Sequence, residues 1–126
     1  MKILFISVLV AVLVSAQNYA GEWSFDEEGM SFSLSLKQQE SLITGNHLST
    51  MLNGSRIDGR FDDKETIRGF VKDGKAIVSI KSTYGGGTGK AELTLRGQDS
   101  LCFELTKRPE GECWLPNKVV LVKEKK

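Results

Sequence analysis

From residue 20 onward the apolar side chains of this chain recur at every second position, in short runs interrupted by turn residues. Phe32, Leu34 and Leu36 are separated by Ser33 and Ser35; Ala91, Leu93 and Leu95 by Glu92 and Thr94; Leu101, Phe103 and Leu105 by Cys102 and Glu104. A period of two lays one apolar face along a pleated strand, and no stretch carries the i, i+3, i+4 spacing of a helix. Turn signals follow at intervals of about ten residues, the spacing of hairpin-linked strands. The pattern predicts an all-β fold: an antiparallel up-and-down meander of eight or nine short strands closing into a small barrel or sandwich. The strands are expected at 21–26, 31–38, 42–52, 55–61, 66–72, 75–83, 89–96, 100–107 and 112–122.

Two turns fix register. Asn53-Gly54 and Asp73-Gly74 are pairs suited to type I′ hairpins, where both central residues need positive φ. Around Asp73-Gly74, Lys72 should face Lys75, Val71 Ala76, Phe70 Ile77, Gly69 Val78 and Ile67 Ile80. One face is then Ile67, Val71, Val78 and Ile80, a core face; Phe70 and Ile77 form an apolar spot on the opposite, polar face. That spot serves either as a hairpin-stabilising cross-strand pair or as a contact for a partner. Around Asn53-Gly54, Thr50 should face Ile57, Leu48 Gly59 and Asn46 Phe61. With Ile57 and Phe61 assigned to the core, Leu48 and Leu52 share their face, and His47 and Ser49 point outward beside Arg60 and Asp58.

The N-terminus reads MKILFISVLVAVLVSAQ. A short positive start, an apolar run and the small residues Val14-Ser15-Ala16 make a secretory signal peptide over 1–16, too short for a membrane span. Cleavage after Ala16 leaves a single domain, 17–126, which is expected to be secreted or periplasmic and to have no membrane span. The whole chain carries 17 Lys plus Arg against 16 Asp plus Glu. This near balance lacks the basic stripe of a nucleic-acid binder. Export favours oxidation of Cys102 and Cys113 to a disulfide. A tight turn at Arg108–Gly111 would instead put the two about 13 Å apart along the strands, too far to bond; a looser turn or a bulge would bring them together.

Residues 82–93, STYGGGTGKAEL, suggest a phosphate-binding loop. That motif, G-x-x-x-x-G-K-[ST], needs a glycine where Tyr84 stands and a Ser or Thr where Ala91 stands, followed by a helix; the segment after Lys90 alternates as a strand. The glycines are expected to make a loose strand connection that tolerates shortening. Tyr84 and Lys90 flank it and are candidate binding residues.

Gly21-Glu22-Trp23 opens the first strand. This G-x-W resembles the start of calycins, the lipocalins and avidins, in which the Trp plugs one barrel end. Gly29 before Phe32-Ser33-Leu34, Leu42-Ile43-Thr44-Gly45 and Asp58-Gly59-Arg60-Phe61-Asp62 extend a similarity to the first half of an avidin-type meander, over about forty residues. The resemblance implies barrel architecture. It does not carry the biotin site: His47 and Ser49 stand where avidins have Tyr and Ser, and Trp23 and Trp114 are the only tryptophans.

His47 is the only histidine and sits on an expected outer face, so hydrolytic triads have one poor candidate base. Asp26-Glu27-Glu28 and Asp62-Asp63 with Glu65 fall in expected turns, where acids cap the local backbone. A weak Ca²⁺ site at Asp62, Asp63 and Glu65 lacks the EF-hand spacing, and a zinc site lacks ligands. Asn53-Gly54-Ser55 is also a glycosylation sequon, meaningful in a eukaryotic host. No metal, cofactor or catalytic residue is assigned. The expectation is a non-catalytic exported binding protein for a small ligand or an exported protein; the alternative is an inhibitor of a secreted or periplasmic hydrolase such as a lysozyme.

Overall fold

The computed structural model describes residues 18–59, 62 and 64–125. The expected signal peptide and its cleavage point lie outside these residues, as do Arg60, Phe61 and Asp63. No helix among the described residues is long and apolar enough to cross a membrane.

The described residues form nine antiparallel strands: β1 (Gly21–Glu27), β2 (Met30–Gln39), β3 (Leu42–Met51), β4 (Arg56–Gly59), β5 (Ile67–Lys72), β6 (Lys75–Lys81), β7 (Thr88–Arg96), β8 (Ser100–Lys107) and β9 (Lys118–Lys123). Neighbours in sequence pair, β4 with β5 excepted, and β1 pairs with both β2 and β9, so the meander closes on itself. The barrel has eight staves rather than nine. β3 pairs through Leu42–Gly45 with β5 and through Leu48–Met51 with β4. Hence β4 and β5 run end to end along β3 as two halves of one stave, interrupted between Gly59 and Ile67.

Alternation places the core as the sequence predicts. Phe32, Leu34, Leu36, Ala91, Leu93, Leu101 and Phe103 are buried, with Trp23, Ile43, Ile67, Ile80 and Leu121. Phe32 and Phe103 pack at 4.8 Å between ring centroids, within the range aromatic pairs prefer. Side chains fill an eight-stranded barrel of this kind. Trp23 is buried near the end where the chain enters, its indole N–H donating to the Tyr19 carbonyl at 3.0 Å.

Both turn readings hold in register. Thr50 faces Ile57 and Leu48 faces Gly59; the 66–81 hairpin pairs from Ile67↔Ile80 to Lys72↔Lys75 as expected. Asp73 and Gly74 have φ of 54° and 83°, the I′ signature. β6 ends, and β9 begins, well inside the expected bounds. Lys81 ends β6, and β9 begins only at Lys118, because Pro116 cannot donate to a ladder and residues 108–117 cross the barrel end as a loop.

The hairpin gives a direct check. A Cβ on Gly74 would meet nothing within 4 Å, so Gly74→Val tests backbone conformation alone. It should cost about 1 kcal/mol or more in urea unfolding, because a β-branched residue resists positive φ.

Candidate functional site

The face assignment at β3–β4 is the reverse of the expectation. Leu48 is half-buried, Ile57 and Leu52 are exposed, and His47, Ser49 and Asp58 are buried inside the barrel. The register is right and the face is inverted. Inward positions on β3 run Ile43, Gly45, His47, Ser49, so alternation from the core residue Ile43 carries the imidazole inward. Leu52 has a φ of 54°, which twists it out of the strand and away from the core.

These polar groups satisfy one another. His47 Nε2 bonds Asp58 Oδ1 at 3.0 Å, and His47 Nδ1 bonds Thr66 Oγ1 at 2.8 Å. The His47 backbone N–H also donates to Thr66 Oγ1. The tautomer with hydrogen on Nε2 satisfies the set: Thr66 donates its hydroxyl hydrogen to Nδ1, and Nε2–H donates to Asp58. Asp58 lies on β4 and Thr66 immediately precedes β5, so His47 ties together the two halves of the interrupted stave. Asp58 receives three further donors: the Ser82 hydroxyl at 2.6 Å and the Trp114 N–H at 3.1 Å on Oδ2, and the Thr83 N–H at 3.0 Å on Oδ1. Ser49 Oγ donates to the Trp114 carbonyl at 2.6 Å. One carboxylate thus joins β3, β4, the end of β6 and the 108–117 loop.

Burial alone would push the Asp58 carboxyl up. The donors, His47 first, then Ser82 and the Trp114 and Thr83 amides, outweigh it and hold the group at about 2, below the ordinary 3.8. A carboxyl depressed in the fold stabilises fully above its unfolded value and loses that contribution as pH falls through the folded one. Thr66, His47 and Asp58 stand in nucleophile–base–acid order. Yet the His47 and Asp58 side chains have no exposed surface, and both carboxylate oxygens are occupied by donors. The arrangement holds chain segments together and presents no reactive atom at the surface.

The hub organises the barrel end above it. Ser82 Oγ accepts from the N–H groups of Tyr84 and Gly85, and the Ser82 backbone closes the loop on Gly86 and Gly87. This loop is a fitted element, which corrects the expectation of a loose connection. A Cβ on Gly85 would lie 2.2 Å from the Glu112 carbonyl, and one on Gly87 2.3 Å from that of Glu110. The glycines are there because two backbones touch, so shortening them would break the contact. Leu115 and Pro116 are buried, and the 108–117 loop caps the barrel.

On the outer side of this cap the Tyr84 ring stands edge-on to Trp114 at 6.1 Å, and the Arg56 guanidinium lies 5.6 Å from the centre of the Trp114 ring. Arg56 Nε is buried without a hydrogen-bond partner. Tyr84 is therefore half of an aromatic pair whose other half, Trp114, falls within the strand expected at 112–122. It does not bracket the loop with Lys90, which points outward from β7 opposite Ser79. Phe70 and Ile77 face each other on the outer wall, 57% and 44% exposed, far in the fold from this cap. Cys102 and Cys113 are both free thiols: Cys102 is buried on β8 across from Thr94 and Val120, and Cys113 lies in the cap loop against Arg108. Glu65 pairs with Arg68 at 3.0 Å, and no cluster of three metal-ligating side chains occurs among the described residues. Comparison with protein-family models, curated proteins and solved structures returned no match to this chain.

Asp58→Asn should destabilise by about 3 kcal/mol, because an amide cannot accept what the carboxylate accepts and leaves buried donors unmet. Acid titration of the wild type should show about 2 kcal/mol of stability vanishing between pH 4 and pH 2, a loss flattened in the variant; chemical denaturation at several pH values reads both. Gly85→Ala or Gly87→Ala should each lower the melting temperature clearly, whereas Gly54→Ala, whose Cβ meets nothing within 4 Å, should cost only its positive φ.

Proposed function

We propose that this chain is a non-catalytic exported binding protein, a small calycin-like barrel that takes its ligand on the capped end. The observation that carries the reading is the Tyr84–Trp114–Arg56 platform. It couples aromatic surface to the Arg56 guanidinium, features enriched where binding energy concentrates. The platform is anchored through the Trp114 backbone to Asp58 and Ser49, so little ordering would be lost on binding. The barrel interior, filled with side chains, offers a ligand less than this end does.

The narrower reading, an inhibitor of an exported hydrolase, draws support from the same rigidity. Two loops locked backbone to backbone at Gly85 and Gly87 resemble what an inhibitory loop requires. Native mass spectrometry of gently purified protein separates the two: a small bound mass supports ligand binding, a co-purified hydrolase supports inhibition.

Trp114→Ala should leave thermal stability close to wild type, since its backbone anchors remain. It should weaken binding of the co-purified species about thirtyfold, equivalent to about 2 kcal/mol. An unchanged dissociation constant would remove the platform from the account. Trp23 is buried, so intrinsic fluorescence changes on binding should come from Trp114.

A further inference from the structure

The barrel closes imperfectly between its first and last strands. β1 and β9 pair at Trp23↔Lys123 and Ser24↔Val122, and the pairing stops there. Continued in register, Phe25 would face Leu121, Asp26 Val120 and Glu27 Val119; none of these pairs forms. The same residues are paired on their other sides, β1 with β2 through Glu27↔Met30 and β9 with β8 through Glu104↔Lys118. The seam is therefore open along its upper half, and β9 has a free edge there.

The direction of the backbone groups on that edge follows from alternation. The Lys123 N–H donates to the Asp99 carbonyl, and the Asn117 carbonyl accepts from Leu105. Odd positions of β9 thus point their backbone groups at β8. Even positions point at the seam, as the Glu124 N–H does in reaching the Glu22 carbonyl. Lys118 and Val120 accordingly turn their N–H and C=O toward the open side. A groove of about 650 Å³ lies at the mouth of this opening, lined by the apolar Met30, Met51, Leu115 and Val119 and by the charged Glu27, Arg108 and Lys118. Trp114 lines it too, which joins it to the platform.

We propose that β9 receives an extended segment of a partner polypeptide as an added strand, paired with the backbone of Lys118 and Val120. Alternate apolar side chains of that segment enter the Met30–Met51 groove, and acidic residues flank them. A polypeptide is the occupant because a strand edge offers donors and acceptors in a row that only another extended backbone matches. Unbranched methionines adapt to varied apolar side chains, and Arg108 and Lys118, two cations against the single carboxylate of Glu27, favour acidic flanks. Exposed Lys118 on this strand also discourages indiscriminate edge pairing. The inference rests on the binding reading above and specifies its ligand class.

The probe is a displayed library of heptapeptides with apolar residues at alternate positions and glutamate at both ends, selected against the mature protein. Val120→Pro removes the seam-facing N–H and no bond to β8, a substitution an edge strand tolerates; Val120→Thr keeps the N–H. Selected peptides should bind wild type and Val120→Thr within twofold of each other and Val120→Pro at least tenfold more weakly, at unchanged melting temperature. Methylating the backbone nitrogens of the peptide should have the same effect as Val120→Pro. Failure to enrich alternating peptides, or binders that Val120→Pro holds as tightly, would overturn strand addition. Self-association in sedimentation that Val120→Pro abolishes would assign the edge to a second copy and equally overturn the proposal. If Trp114→Ala weakens binding of the co-purified species while Val120→Pro does not, strand addition fails and the binding reading stands; if neither does, both fail.

Discussion

A single buried carboxylate sets the geometry of this barrel. Asp58 takes hydrogen bonds from His47, Ser82, Thr83 and Trp114. A carboxylate removed from water is costly unless its oxygens are fully engaged, and here each oxygen has two donors. The site is fully connected, the condition under which buried polar networks specify one arrangement instead of weakening a core. Its role follows from topology. β4 and β5 share one stave, and among the described residues no backbone ladder spans the gap between them. His47, Thr66 and Asp58 span it with side chains, and the hydroxyl of Thr83 adds bonds to both backbone groups of Gly59.

The same group connects stability to the surface. The Trp114 backbone is held from inside the barrel, so its indole, Tyr84 and Arg56 are presented outside on a fixed frame. Loops of small barrels carry recognition when a rigid scaffold positions them. Here the scaffold reaches into the loop itself, through Ser49, Asp58 and the close contact of Gly85 and Gly87 with residues 110–112. The open seam beside β9 adds backbone groups to that surface. Aromatic platform, apolar groove and strand edge all lie at the end of the barrel that the hub closes.

Much of the fold is legible in the sequence, because hydrophobic alternation and the Asp-Gly and Asn-Gly turns determine it locally. The 66–81 hairpin is readable residue by residue, and the β3–β4 register follows from Asn53-Gly54. The face of β3 is not, if apolar residues are always sent inward: Leu48 and Ile57 outweigh His47 and Asp58 on that rule, and the barrel end reverses it. The corrective signal was present in Ile43, whose inward position carries His47 and Ser49 with it at period two. Pro116 likewise marked the end of the strand assigned to 112–122. The roles of Gly85 and Gly87 are invisible locally, because the Glu110–Glu112 backbone they touch is more than twenty residues away. Trp114 as a partner of Tyr84 depends on the same long-range contact.

The central claim is that the Asp58 carboxylate holds the capped end at the stability of the core. Native-state hydrogen exchange of the Thr83 and Trp114 amides tests it most directly. Both lie outside the strands, and loop amides without such partners exchange through local opening at little cost. The account predicts that these two are protected nearly to the level of global unfolding, together with core amides such as those of Leu93 and Phe103. Rapid exchange of Thr83 and Trp114 while the core stays protected would contradict it.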